Sequence, residues 1–356
     1  MSPSGKPSAG YSQPADRTAS AAGQTGSGSA LWLSWNEHRR TTGLCKAWGI
    51  PLEVLRAQRR GIARWPELAA RTLAVLHQRR PQVLYVQCPS VALTTLVALC
   101  RPVFGYYLVV DAHNEGVRPF DRPYAAVRWL SRRLLRAADT TIVSNEALAI
   151  DVTRAGGRPV VLPDRLPEPT PGREPRDQAP GEPDHVAVVA TFRPDEPIDA
   201  IVAAAAMLPD VRFAFSGPAE DYAGRPGELP PNVRLTGFLD DCEYWELLRR
   251  SRVVCDLTLK PDCLVCGAYE ALALGKAMVL SDNAPTRRLF GRAARLTDPA
   301  PENIAEAIRC ALEQYEWLES ASREVREQYR AAWQELGDQA IAMIDEASRR
   351  RIPSAV

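Results

Sequence analysis

The sequence lacks several features that would assign it to other protein classes. Its most apolar window, Val91–Val110, carries Arg101-Pro102 at its centre, which excludes a spanning helix and favours a short helix, a turn and a buried strand. The eight cysteines are too dispersed over 356 residues to form a disulfide framework. The chain contains no Asp-x-Asp element. These absences argue against a membrane-spanning protein, a disulfide-rich scaffold and a metal site built on an Asp-x-Asp element.

The first 30 residues also lack an apolar segment. Fifteen of them are Gly, Pro or Ser, and such a composition cannot bury enough surface to offset the loss of chain entropy on folding. We therefore expect residues 1–30 to be a disordered tail rather than a signal peptide. The expected location is the cytoplasm, with attachment to the inner face of a membrane as a further option.

A complete zinc site is missing as well. Cys263 and Cys266 have the spacing of half such a site, but the sequence offers no second closely spaced pair. Cys255 lies in an apolar, strand-like run. The prediction is therefore buried thiols, with no metal ion and no resident cofactor.

Net charge is nearly absent, at +1, but the total hides two oppositely charged halves. Residues 31–165 carry 20 Lys/Arg against 10 Asp/Glu, whereas residues 183–356 carry 20 against 28. This asymmetry indicates that the halves meet different partners. No basic-aromatic stripe predicts nucleic-acid binding. The amphipathic run around Arg132 and Arg133 fits either an anionic membrane surface or a helix that covers the sheet with its arginines in water.

Short apolar runs alternate with amphipathic stretches in two blocks, residues 31–165 and 185–320. This alternation predicts an α/β protein with two doubly wound, Rossmann-like domains that face each other across a cleft. Pro163–Asp184 carries seven prolines, so we place the linker at residues 166–184. The remaining segment, 321–356, is predicted to be a helical tail that packs elsewhere than on its own domain.

The segment around Glu270 carries the strongest chemical signal. Gly267 is expected to open a short helix, with Glu270 in its first turn and Gly275 at its end. The N–H groups near Val265, Cys266 and Gly267, together with the helix dipole, suit a diphosphate. The Glu270 carboxylate can accept two hydrogen bonds from the vicinal diol of a ribose. The pattern therefore predicts a site for a nucleoside-diphosphate compound.

This segment resembles the nucleotide-sugar site of GT-B glycosyltransferases, particularly those of family 4. Their pattern is two glutamates separated by seven residues, the second followed by Ala-x-Ala-x-Gly-x-Pro-Val, and Asp262 and Glu270 have that separation. The resemblance implies that Glu270 holds the ribose and that Asp262 faces the donor sugar. This sequence departs from the pattern in having Asp at the first position, Ala277 in place of Pro, and no additional glycines in the loop.

A second segment, Thr-Phe-Arg-Pro-Asp-Glu from Thr191, resembles the Ser-Thr-x-Trp-x-x-Asp-Glu-Asp segment of the β-mannosyltransferases that elongate lipid-linked chitobiose. Thr191 would end a strand at the cleft, and Arg193 could neutralise a leaving diphosphate. The alternative for Arg193 is an exposed arginine before a helix. Asp195 and Glu196 are expected in the first turn of that helix.

A third segment, Asp-Ala-His-Asn-Glu from Asp111, resembles the Asp-Trp-His-Asn segment of the same β-mannosyltransferases. It follows a buried strand, where cleft residues are expected. An inverting transfer needs a group that takes the proton of the acceptor hydroxyl, and His113 and Glu115 are the first candidates. Glu37 and His38, after the first strand, are alternatives, and Asp111 is expected to cap its loop backbone.

Together these patterns predict a glycosyltransferase whose acidic half binds a UDP- or GDP-sugar and whose basic half binds a hydroxyl acceptor. The acceptor is expected to be lipid-linked or a polysaccharide precursor. Two alternatives stay open: a nucleotide-sugar 2-epimerase of the same fold, and a non-catalytic binding or scaffold protein at a membrane surface. The family-4 resemblance implies retention and the β-mannosyltransferase resemblance implies inversion, so the sequence leaves the stereochemistry open.

Overall fold

The computed structural model describes residues 29–59, 61–88, 90–118, 125–170, 185–222 and 229–351. Within these ranges the chain forms two parallel sheets of six strands each. Nearly all of the tail predicted at residues 1–30, and residues 171–184 of the predicted linker, lie outside the described part.

The first domain alternates strands and helices. Its strands are β1 (Ala30–Ser34), β2 (Leu52–Val54), β3 (Val83–Cys88), β4 (Tyr107–Ala112), β5 (Thr140–Val143) and β6 (Pro159–Val161). Its helices are α1 (Arg39–Trp48), α2 (Arg64–Arg79), α3 (Val91–Phe104), α4 (Asn114–Val117), α5 (Ala125–Ala137) and α6 (Glu146–Arg154). The strand order is β2-β1-β3-β4-β5-β6. The winding direction therefore reverses between β1 and β3, the point at which such sheets bind ligands.

The second domain repeats this plan. Its strands are β7 (Val186–Val188), β8 (Phe213–Phe215), β9 (Val233–Leu235), β10 (Val253–Asp256), β11 (Ala277–Ser281) and β12 (Ala294–Thr297). Its helices are α7 (Ile198–Ala206), α8 (Asp241–Arg250), α9 (Cys266–Leu274), α10 (Ala284–Phe290) and α11 (Pro301–Glu313). The order β12-β11-β10-β7-β8-β9 places the reversal between β7 and β10. The prediction of two doubly wound domains is confirmed.

Burial explains why the sequences of the central strands are almost continuously apolar. Every residue of β3, β4 and β10 is buried, as expected where helices cover both faces of a parallel sheet. Each fully buried Val, Leu or Phe side chain contributes about 1.5–3 kcal/mol relative to an exposed one. The polar exceptions near the ends of these strands are Gln87, Asp111 and Asp256, and the two aspartates lie in the functional region described below.

A single helix, α12 (Tyr315–Arg351), extends over both domains. Leu318 near its start is buried in the core of the second domain, and Ile344 near its end belongs to the same buried cluster as Trp32 of β1. Between them, Trp333 Nε1 donates to the carbonyl oxygen of Pro163 at 2.9 Å. The helix thus starts before the tail predicted at residues 321–356 and ends against the first domain.

No helix in the described part of the chain combines the length and hydropathy that crossing a bilayer requires. The apolar window identified in the sequence divides into α3 and β4, and α3 ends at Gly105, whose φ is 74°. Pro102 lies in the last turn of α3, and the sharp stop at Gly105 follows the usual preference of helix ends for a left-handed glycine.

Candidate functional site

Helix α9 begins at Cys266, earlier than predicted, and is capped at its C-terminus by Gly275, whose φ is 70°. Val265 precedes it in an extended conformation, and the Val265 side chain makes no capping hydrogen bond. Glu270 therefore lies in the second turn, and its predicted place in the first turn is wrong. Cys266 is exposed as a residue at the helix start, although burial of its thiol group raises the pKa of that thiol.

Gly267 joins the start of α9 to the second sheet. Its N–H donates to Oδ2 of Asp256 at 2.8 Å. A Cβ on Gly267 would lie 2.5 Å from that oxygen and 2.9 Å from Cγ2 of Val189, so only glycine fits this contact. Burial raises the pKa of the Asp256 carboxyl well above its usual range. The Gly267 N–H, which the sequence assigned to a diphosphate, is thus already bound to Asp256.

Both carboxylate oxygens of Glu270 are hydrogen-bonded. Arg39 Nη1 donates to Oε1 at 2.5 Å, and the Tyr244 hydroxyl donates to Oε2 at 2.5 Å. Glu270 is only 5% exposed, and this burial raises the pKa of its carboxyl although both donors oppose the shift. Arg39 is the first residue of α1, so the contact crosses from the first domain to the second. A ribose diol can reach both oxygens only if these partners move.

Asp262 is held in a similar way. Its φ of 53° is in the left-handed region that residues other than glycine seldom adopt. Its Oδ2 accepts a hydrogen bond from Arg118 Nη1 at 2.7 Å, and its backbone oxygen accepts one from Asn145 Nδ2 at 3.0 Å. Both donors belong to the first domain. The two acids that the sequence assigned to the donor are thus each paired with a first-domain arginine.

Lys260 makes a third connection across the cleft. Its Nζ lies 2.8 Å from Glu115 Oε1 and 2.9 Å from Asp195 Oδ2. Glu115, one predicted proton acceptor, is therefore engaged by a cation. Glu37, the alternative, is exposed and paired with Arg56. Neither carboxylate is oriented by a histidine.

His38 and His113 lie together at the carboxyl end of the first sheet. Their ring centroids are 4.4 Å apart. His38 Nδ1 and His113 Nε2 are buried without a hydrogen-bond partner among the described residues. Burial and the neighbouring His113 lower the pKa of His38 to about 4. The pair therefore offers two unoccupied nitrogens, as expected for a site that receives a polar ligand.

Asp111 lies beside His113. Its Oδ2 is 3.7 Å from His113 Nε2, and its two oxygens accept hydrogen bonds from Arg40 Nε at 2.9 and 3.2 Å. Arg40 is also paired with Asp164 and donates to the Leu162 carbonyl oxygen. The prediction that Asp111 caps its loop backbone is wrong, because α1 places a buried guanidinium directly against this carboxylate.

Thr191 and Arg193 follow β7. The Thr191 N–H and hydroxyl donate to Glu196 at 2.9 and 2.5 Å. Since α7 begins only at Ile198, the predicted placement of Asp195 and Glu196 in its first turn is wrong. Arg193 is exposed and forms no ion pair with the described residues. It is therefore open to an anionic ligand, as is any exposed arginine.

Solved structures share this architecture at low sequence identity. Sucrose-phosphate synthase from Thermosynechococcus elongatus is 14% identical, with a TM-score of 0.68 over 89% of this chain and 98% of that one. HepE from Anabaena in complex with UDP-glucose is 15% identical, with a TM-score of 0.62 over 90% of this chain and 98% of that one. The sequence comparison with curated proteins found no match. Identities this low establish the fold alone.

Two family models match the sequence itself. One, described as a glycosyl transferase 4-like domain, matches residues 31–165, and another, described as glycosyl transferase-like, matches residues 194–335. The chain belongs to the GT-B glycosyltransferases. The resemblance that the spacing of Asp262 and Glu270 indicated is thereby confirmed at the level of the family.

What the sequence did not reveal in this glycosyltransferase is its cross-cleft cations. Arg39 directly follows the candidate His38, Arg118 lies three residues after Glu115, and Lys260 lies two before Asp262. The closeness of these cations in sequence to the predicted site residues was the signal that could have revealed them. Within the described residues no cluster of three or more His, Cys, Asp or Glu side chains could hold a metal ion.

Acid is expected to destabilise this glycosyltransferase through His38. The pKa of His38 is about 4 in the folded protein against 6.5 for an unperturbed histidine, so the unfolded chain binds more protons between these values. The stabilising contribution is complete above pH 6.5 and is lost as the pH falls towards 4, by roughly 3 kcal/mol. Urea unfolding at pH 4.5 and pH 7 measures this loss.

In that experiment His38→Asn should reduce the difference in unfolding free energy between the two pH values. His77→Asn is the matched control, because His77 is exposed on α2 and should leave the difference unchanged. The expectation fails if wild type and His38→Asn lose the same free energy on acidification.

Proposed function

We propose that this glycosyltransferase moves a sugar from a UDP- or GDP-sugar to a hydroxyl acceptor, with the donor on the second domain and the acceptor on the first. The supporting observation is that the donor-type acids and the histidine pair face each other. Arg39, next to His38, reaches Glu270, and Asn114, next to His113, donates to the Pro261 carbonyl oxygen at 3.4 Å.

The donor is held by α9 and the loop before it. Glu270 accepts the ribose hydroxyls, and Asp262 faces the donor sugar. The helix start at Val265 and Cys266 receives the diphosphate, because N–H groups at a helix start and the positive dipole end favour anions. Arg193 adds positive charge from the loop after β7. HepE is described in complex with UDP-glucose, which makes UDP-sugars the first donors to test.

On the acceptor side, His113 takes the proton in an inverting transfer. The acceptor oxygen forms a bond to the anomeric carbon, the bond from that carbon to the diphosphate oxygen breaks, and the nucleoside diphosphate departs with the electron pair. The hydroxyl proton passes to His113, and Asp111 at 3.7 Å stabilises the imidazolium. Arg40 fixes Asp111 through two contacts. Glu115 remains the second candidate for this role.

A nucleotide-sugar screen tests the proposal. We expect at least one UDP- or GDP-sugar to raise the melting temperature, since a ligand that binds only the folded state stabilises it. The stabilising donor is then incubated with and without a panel of hydroxyl acceptors, and products are separated by mass spectrometry. A donor sugar altered without acceptor would indicate a 2-epimerase instead. Absence of binding to every nucleotide tested would indicate a non-catalytic protein.

The acceptor is proposed to be lipid-linked, with the first domain on an anionic membrane. Its surface exposes Leu99 and Val103 on α3 and Trp129 on α5, at 72%, 81% and 59%. Arg133 lies 5.2 Å above the Trp129 ring. Exposed apolar and aromatic side chains among arginines on a positively charged domain suit such a surface.

Vesicle flotation tests the membrane. Replacing Arg132 and Arg133 by Gln should lower the ratio of vesicle-bound to free protein on anionic vesicles by roughly 30-fold, because each basic residue contributes about 1 kcal/mol. The control replaces Arg292 and Arg309, exposed in the second domain. Equal flotation of both double variants, or flotation on neutral vesicles alone, would contradict this part of the proposal.

A further inference from the structure

The first domain places one arginine on each acid of the donor site. Arg39 Nη1 is 2.5 Å from Glu270 Oε1, and Arg118 Nη1 is 2.7 Å from Asp262 Oδ2. Glu270 and Asp262 are the groups that the proposed donor needs for its ribose and its sugar. The protein thus fills its own donor site with cations from the opposite wall.

Each of these arginines also has a second carboxylate partner that the donor does not need. Nη2 of Arg39 lies 2.7 Å from Asp241 Oδ1, at the start of α8. Nε of Arg118 lies 2.5 Å from Asp151 Oδ2, on α6. If Glu270 and Asp262 are taken over by donor hydroxyls, these second partners keep both guanidiniums near the site.

The second domain supplies little positive charge of its own for a diphosphate. Lys260 is already paired with both Glu115 and Asp195, and the segment 183–356 carries eight more acidic than basic residues. A diphosphate brings further negative charge into this environment. Cations released from Glu270 and Asp262 would be the nearest partners for it.

We propose that Arg39 and Arg118 exchange partners when the donor binds: hydroxyls of the ribose and sugar take over Glu270 and Asp262, and the two guanidiniums turn to the diphosphate. This inference rests on the proposed donor site. Arginine suits the exchange because its planar fork pairs equally well with carboxylate and phosphate oxygens. Arg39 also begins α1, whose N-terminus has no side-chain cap, so the helix dipole adds to the same field.

The exchange makes a distinctive prediction for ligands with and without phosphate. A free nucleoside must displace Arg39 from Glu270, and it has no phosphate with which the displaced arginine can pair. A nucleoside diphosphate displaces the same contact and replaces it with a phosphate contact. Arg39 should therefore weaken nucleoside binding and strengthen diphosphate binding.

Calorimetry with uridine, guanosine, UDP and GDP on wild type and Arg39→Gln tests this. We expect the variant to bind the preferred nucleoside at least threefold more tightly and the corresponding diphosphate at least tenfold more weakly. Arg288→Gln is the matched control, because Arg288 pairs with Glu146 across the domains without touching a donor-site residue. It should leave both affinities unchanged.

Other outcomes overturn the exchange. If Arg39→Gln tightens the binding of both the nucleoside and the diphosphate, Arg39 only blocks the site. If the substitution weakens the binding of both ligands, Arg39 only supports Glu270. Arg39→Lys, which keeps the charge, should restore part of the diphosphate affinity and provides a second variant should Arg39→Gln fold poorly. Glu270→Gln separates this from the donor assignment: if that variant binds every nucleotide as wild type does, the proposed function itself is wrong.

Discussion

Glu270→Gln is expected to lower the affinity for the nucleotide-sugar by on the order of 100-fold. Hydrogen bonds to a charged group contribute about 1.5–3 kcal/mol each, and the carboxylate offers one acceptor to each ribose hydroxyl. The amide keeps the shape but loses the charge and one acceptor oxygen. Calorimetric titration with the donor that stabilises the wild type measures the change.

Glu302→Gln is the control for this experiment, because Glu302 is an exposed glutamate at the start of α11. It should bind the donor as the wild type does. Circular dichroism and the melting temperature establish that Glu270→Gln remains folded. A dissociation constant within threefold of the wild-type value would refute the assignment of Glu270 to the ribose.

Arg40→Met is expected to reduce stability by about 3–5 kcal/mol. The side chain of Arg40 is buried and neutralises Asp111, which is 1% exposed, together with Asp164. Burial opposes the charged form of Arg40, but the two carboxylates outweigh it and raise the pKa of the guanidinium. Removing the cation leaves uncompensated buried charge, the costly way to break such a network. The melting temperature should fall by on the order of 10 °C.

Adding Asp111→Asn to Arg40→Met tests that explanation. If uncompensated charge is the cause, the double variant should recover part of the lost stability, because the two replaced groups contact each other and their effects are not additive. A loss that stays the same in the double variant would instead indicate that Arg40 stabilises by packing alone.

Local patterns predicted the strands well where the chain is apolar throughout. The window Val91–Val110, predicted to hold a short helix, a turn and a buried strand, contains α3, the turn at Gly105 and most of β4, in which every residue is buried. α1 was not predicted, because Arg39–Trp48 contains two threonines and a glycine, which are weak helix formers. Its buried face combines Arg40 and Thr41 with Leu44 and Cys45, so the ion pairs of Arg40 hold it in place together with apolar packing.

The candidate site also has features that the local sequence predicts and features that depend on the folded structure. The spacing of Asp262 and Glu270, and the glycine that ends α9, are local and could be found in the sequence. The Arg39–Glu270 contact joins residues 231 positions apart, and it exists only because the two domains face each other. No local period or motif encodes such a pair, so its discovery required the folded arrangement.

The chain crosses between the domains twice, first after β6 and again along α12. Trp333 Nε1 and the Tyr329 hydroxyl donate to the carbonyl oxygens of Pro163 and Asp164 at 2.9 and 2.6 Å, and so fasten the second crossing to the first. Two interdomain crossings that are hydrogen-bonded to each other act as a single hinge. Any opening of the cleft must then rotate about an axis close to Trp333, and displacement grows with distance from this axis. Helix α12 extends about 55 Å at 1.5 Å per residue, long enough to act as a lever for each domain.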